Sequence, residues 1–134
     1  MSRYTRIATA VALTVMMALS TAAWAGAKGG ASVTISWNGD NGAASGTMGT
    51  VRNSSDTLQY IGCTVAGNAT SKWVSCSARN ASNVTVSCTS WEPNIIQAAY
   101  AMTSDAHISF SWDASGACTT LSVRADSRYR PKEP

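Results

Sequence analysis

The sequence predicts an all-β domain, an antiparallel β-sandwich or small barrel of about seven short strands with one short helix, stapled by two disulfides. Three observations carry that prediction. Apolar residues alternate with Ser and Thr in short runs, which is the period of a half-buried strand. Clusters of Gly, Asn, Asp and Ser separate the runs at intervals of about eight to twelve residues. Four cysteines, an even number, occur in a chain of 134 residues that is 45% hydrophobic and only 13% charged. Such a composition is too apolar and too weakly charged for disorder, and it contains no heptads.

The first strand is read over residues 32–37, where Val33, Ile35 and Trp37 face one way and Ser32, Thr34 and Ser36 the other. Trp37 is thereby assigned to the core, as are Phe110 and Trp112. Asn38, Gly39, Asp40, Asn41 and Gly42 form the turn that follows. Residues 45–51 make a weak, Gly-containing strand suited to an edge or a bulge. Residues 58–65 place Ile61, Cys63 and Val65 on one face, and residues 72–78 do the same for Val74, Cys76 and Ala78. In residues 83–88 the shared face carries Val84, Val86 and Cys88, with a hairpin loop at 79–82 before it. The period then changes. Ile95, Ala98, Ala99 and Met102 recur at helical spacing behind Pro93, so residues 93–102 predict a short helix. Ile108, Phe110 and Trp112 share the face of the next strand, residues 113–116 turn, and residues 118–123 return antiparallel.

Residues 1–25 have the form of a secretory signal peptide, with Arg3 and Arg6 before an apolar stretch and an Ala23-Trp24-Ala25 cleavage site. Ser20, Thr21 and that site argue against a membrane anchor, which needs about 18 consecutive apolar residues. Cleavage after Ala25 divides the rest into a β domain over 26–126 and a flexible basic tail over 127–134. It also removes two of the ten Lys and Arg and none of the seven Asp and Glu. The near-neutral remainder lacks the basic patch that nucleic-acid binding requires. The expected location is secreted or periplasmic, with no membrane span after cleavage.

All four cysteines follow the leader, and in an exported chain an even number predicts disulfides. Zinc is disfavoured, because no C-x2-C knuckle occurs and His107 is the only histidine. If residues 79–85 close a hairpin, Cys76 and Cys88 lie opposite each other, so the preferred pairs are Cys76–Cys88 and Cys63–Cys118. The alternative is Cys63–Cys76 with Cys88–Cys118.

No residue set points to catalysis, cofactor or metal. Asp105, His107, Ser109, Ser111 and Asp113 alternate along one strand, a spacing of about 6.5 Å between parallel side chains that is too long for proton transfer. The carboxylates Asp40, Asp56, Glu92, Asp105 and Asp113 fall in no glycosidase motif. The loop 38–42 lacks the spacing of an EF-hand. Asn-x-Ser/Thr sequons at Asn53, Asn68, Asn80 and Asn83 fit chance in a chain this rich in Ser, Thr and Asn. The candidate binding surface comprises Trp73, on the face opposite Val74 and Cys76, Trp91 in a loop, and Arg128 and Arg130 of the tail. Exposed aromatics of this kind suit a cell-surface polysaccharide or an extracellular protein as partner.

Arg52-Asn53-Ser54, Tyr60-Ile61-Gly62-Cys63, Ser77-Ala78-Arg79-Asn80 and residues 110–118 resemble a group of small, exported, four-cysteine bacterial proteins without assigned activity. The resemblance implies export and a fold, and no catalytic residue. The expected function is that of a secreted, non-enzymatic binding or surface component. A protease inhibitor acting through loop 64–72 or 89–94 is the first alternative, and a small hydrolase the second.

Overall fold

The computed structural model describes residues 27–131 and 133, so the expected signal peptide and its cleavage site lie outside the described residues. Alternation of polar and apolar residues builds seven strands: β1 (Thr34–Asn38), β2 (Asn41–Thr47), β3 (Tyr60–Gly67), β4 (Lys72–Arg79), β5 (Thr85–Ser90), β6 (His107–Trp112) and β7 (Cys118–Arg124). They form two antiparallel sheets, one of four strands in the order β1-β2-β6-β7 and one of three in the order β3-β4-β5. The predicted all-β class is therefore correct. Ile108, Phe110 and Trp112 of the larger sheet and Val74, Cys76 and Ala78 of the smaller join one buried cluster between them. Phe110, Ile108 and Val74 are its largest fully enclosed apolar side chains.

Among the described residues two helices are present rather than one. The expected helix at 93–102 is α2 (Pro93–Ala99), with Pro93 in its first turn and Ile96 and Ala99 buried toward β7 and β4. The unexpected one is α1 (Met48–Arg52), which buries Gly49 and Val51. The sequence hid it because a five-residue helix is too short to display a 3.6 period, while Thr50 and Val51 favour strand. The strand expected at 45–51 is accordingly displaced. It begins at Asn41 and is an interior strand between β1 and β6, not an edge. Gly39 adopts a positive φ of 62° at the hairpin tip, the first central position where a two-residue turn favours Gly. Val84 falls in the loop before β5 and is exposed, so it does not join Val86 and Cys88 inside.

The preferred disulfide pairing is also corrected. The bonds are Cys63–Cys76 and Cys88–Cys118. The expected register was right, since Cys76 does lie opposite Cys88, but it also lies opposite Cys63 on its other side. The Cys63–Cys76 Cα separation of 3.9 Å marks a narrow, non-hydrogen-bonded pair. A residue directs its N–H and C=O to the same side, so Cys76↔Cys88 is the wide pair, with side chains farther apart. Cys118 meanwhile is delivered to Cys88, because Thr89 donates its N–H to the Gly116 carbonyl at 3.2 Å and bridges Ala117. Cys63–Cys76 ties strands within one sheet, and Cys88–Cys118 ties one sheet to the other.

The tail expected to be mobile makes hydrogen bonds to the rest of the chain. Gly29 donates to the Arg128 carbonyl at 2.9 Å, and the Asn53 side chain donates to the Pro131 carbonyl and accepts from the Glu133 N–H. Asn53→Ala is expected to leave the melting temperature nearly unchanged while hydrogen exchange at residues 128–133 accelerates, since two exposed bonds carry that anchor.

Candidate functional site

The two ends of the larger sheet have different chemistry. At one end, the β1–β2 turn and the β6–β7 turn lie beside the connection from β5 to α2. Two clefts open here, of about 320 and 640 Å3. The smaller is lined by Trp37, Asn38, Asn41, Gly42 and Trp112, the larger by Thr89, Trp91, Glu92, Asn94 and Ile95. Asp113 and Thr119 line both, so the clefts adjoin along that wall.

Trp37 is not a core residue, in contrast to the expectation; it is 57% exposed. The face assignment was correct, but β1 is an edge strand and position 37 lies near its end, where no opposing strand covers it. Its ring is nevertheless braced. It meets Trp112 edge to face at a centroid distance of 5.1 Å, and Trp112 is buried against Phe110 at 6.0 Å. Gly42 makes this possible, because a Cβ there would lie 2.2 Å from Trp112 Cζ2. Trp91 is 63% exposed and sits in the turn between Ser90 and Pro93. Asp113 is fixed by its own turn: the Ser115 N–H, the Ser115 hydroxyl and the Ala117 N–H all donate to Oδ1. Those bonds, the Ser115 hydroxyl's foremost, hold its carboxyl below the usual range. Among the described residues Oδ2 has no protein donor, so it is an acceptor free to serve the cleft.

Of the four residues of the expected binding surface, only Trp91 lines these clefts. Trp73 stands half-buried on the outer face of the smaller sheet and lines neither. Arg128 and Arg130 lie beyond the far end of β7, a strand length of about 20 Å away. They are also paired, Arg128 with Asp126 at 2.7 Å and Arg130 with Glu133 at 3.4 Å. Arg128 pulls the Asp126 carboxyl down to about 2. Sequence reasoning assigned Trp37 to the core, weighed Asn38 and Asn41 only as a calcium loop, and missed Thr119. The available signal was the Asn-rich turn directly after a Trp at a strand end.

At the opposite end lies His107. Its Nδ1 is 3.1 Å from the Thr47 hydroxyl, its ring stacks on Tyr129 at 5.8 Å, and Thr47 is wholly buried. The same hydroxyl accepts from the Ala31 N–H. This contact brings an imidazole to a hydroxyl, yet the hydroxyl is wholly buried beside Ala31, where no substrate carbonyl reaches it. Burial first, and the Arg124 charge second, lower the His107 pKa from 6.5. The folded chain therefore resists a proton that the unfolded chain accepts. The resulting stability is complete above pH 6.5 and is lost as pH falls through the lowered value. Urea midpoints measured from pH 8 to pH 5 should fall, and His107→Gln should flatten that fall.

The remaining carboxylates serve turns. Asp56 accepts from Ser54, Leu58 and Gln59, the Gln59 amide above all driving its pKa well down. Asp105 accepts from Thr103. The sequon residues do similar work: Asn68 Oδ1 accepts four bonds from Thr70 and Ser71, and Asn80 accepts from Val84. Asn83, at φ 64°, accepts from Arg79 at 2.6 Å. Their abundance reflects turn construction. Among the described residues, no group of three or more His, Cys, Asp or Glu is placed to hold a metal ion, and no helix is long and apolar enough to cross a membrane. The two disulfides indicate an oxidising, extracellular-type environment. Compared with known protein families, curated proteins and solved structures, the chain matches none.

Proposed function

We propose that the chain is an exported, non-enzymatic binding protein whose ligand face is the pair of adjoining clefts between Trp37 and Trp91. One observation carries this reading: two strongly exposed indoles flank a polar wall, one of them held rigid by a buried neighbour. Exposed aromatic surface of that kind is stabilised when a partner covers it, and rigid anchors lose little entropy on binding. Export agrees with the disulfides and with the Ala23-Trp24-Ala25 site.

Acid–base chemistry is weakly supported. Glu92 and Asp113 share a cleft, but Asp113 is held ionised by its turn and is unsuited to donate a proton. The inhibitor reading is weakened by local structure. The Glu92 carbonyl accepts the Ile96 N–H as the start of α2, and Asn68 closes 68–71 into a tight turn. Neither segment is an extended loop that a protease cleft would take.

Retention on envelope and extracellular polymer preparations of the producing cell tests the proposal. Wild-type protein should be retained, whereas Trp37→Ala/Trp91→Ala should wash through with its circular dichroism and melting temperature preserved. Unchanged retention of the double variant would overturn the binding face.

A further inference from the structure

The chemistry of the cleft walls narrows the ligand. Their polar lining is made of hydroxyls and amides, those of Asn38, Asn41, Asn94 and Thr119 among them, and of two carboxylates, Asp113 and Glu92. Among the described residues, no Lys or Arg lines either cleft. A polyanion would meet only like charge here, which steers it away and leaves its own charges unpaired. A wholly apolar ligand would leave the amides and the carboxylates desolvated without partners.

The surface instead alternates flat apolar faces with neutral hydrogen-bonding groups. The register row Trp37, Gly42, Trp112, Cys118 crosses the sheet over three strand spacings, about 14 Å. Trp37 stands at its start, and Trp91 lies past the Cys88–Cys118 bond at the other side. Between them, Asp113 presents Oδ2 as a fixed acceptor, because its turn consumes Oδ1 alone. A sugar ring has the matching form: C–H groups on its faces to lie against indole, and hydroxyls on its rim to donate to a carboxylate or pair with amides. Resting on the binding face proposed above, we infer that the ligand is an uncharged polysaccharide chain. It lies along the two clefts, with Trp37 and Trp91 under separate sugar rings and Asp113 Oδ2 receiving a hydroxyl between them.

The test is a titration of 15N-labelled protein followed at the indole Nε1–H resonances, with Trp73 as internal control. Four probes are compared: cellohexaose, N-acetylchitohexaose, hexagalacturonate and a proline-rich peptide. The inference predicts that at least one neutral hexasaccharide shifts Trp37 and Trp91 together and leaves Trp73 in place, and that its trimer binds more weakly. Trp37→Ala, Trp91→Ala and Asp113→Asn should each weaken that binding by about tenfold, as expected of central contact residues. Asp113→Asn keeps the carbonyl the turn requires, so its folding serves as a check. Shifts produced only by the polyanion or only by the peptide would overturn the polysaccharide inference. So would the absence of shifts with either neutral oligomer at millimolar concentration. If envelope retention still depended on Trp37 and Trp91 in that case, the ligand class alone would fall. If retention were also indifferent to both residues, the binding face would fall with it.

Discussion

Removing the Cys88–Cys118 bond with Cys88→Ala/Cys118→Ala is expected to destabilise the fold by about 4 kcal/mol, the larger loss of the two disulfides. The bond spans a sequence separation of 30, against 13 for Cys63–Cys76. In the chain-entropy account the shorter loop contributes about 3 kcal/mol, so the two differ by less than 1 kcal/mol from loop length alone. Topology widens the gap. Cys63 and Cys76 already face each other in a hydrogen-bonded ladder, whereas β5 and β7 belong to different sheets. Loss of the inter-sheet bond also removes two side chains that are 3% and 4% exposed from the core. For a domain of about 100 residues the expected fall in Tm is roughly 20 °C. Both cysteines must be replaced, because a Cys88 left single lies opposite Cys76 in register and would exchange with the Cys63–Cys76 bond. Non-reducing urea denaturation of the two double variants checks the ranking, and an equal or reversed order would contradict it.

The second large effect is expected at Gly42. Gly42→Ala puts a methyl group 2.2 Å from Trp112 Cζ2, 2.7 Å from Cε2 and 2.8 Å from the Ser36 carbonyl oxygen. None of these is the end of a flexible chain, so Trp112 must tilt and the strands must part, at a cost of about 1–3 kcal/mol. The displaced Trp112 would no longer brace Trp37, and binding should weaken together with stability. Gly62→Ala is the control. A Cβ there meets nothing within 4 Å, so that change is expected to be neutral or slightly stabilising, by up to about 1 kcal/mol. Denaturation midpoints and tryptophan emission of the two variants give the comparison. A Gly42→Ala protein matching wild type in both would refute the bracing.

These effects show which parts of the molecule local patterns reveal. Val74, Cys76 and Ala78 alternate without interruption and are buried as their period indicates. Pro93 and the 95/98/99 spacing likewise placed α2. What alternation cannot report is the neighbour across the sheet. Trp37 and Phe110 carry the same sequence signature, yet one ends an edge strand and the other sits mid-sheet under the second layer. Cys76 has two partners in register, and only the strand order with the Thr89–Gly116 bond decides where each disulfide goes. The site was half legible for the same reason: Trp91 stood out in a loop, while Trp37, Asn41, Asp113 and Thr119 come together only through three separate strand pairings. The contacts of the basic tail were not legible because their partners, Asn53 and Gly29, are remote in sequence.

The most direct measurement of the central claim is oxidative footprinting of the tryptophans, with and without the envelope preparation used to test retention. For the free protein Trp37 and Trp91 should oxidise fastest, Trp73 more slowly and Trp112 least, following their exposure. With the preparation present, Trp37 and Trp91 should both become protected while Trp73 keeps its rate. Protection of Trp73 or of the Arg128–Arg130 segment, with Trp37 and Trp91 still reactive, would contradict the account.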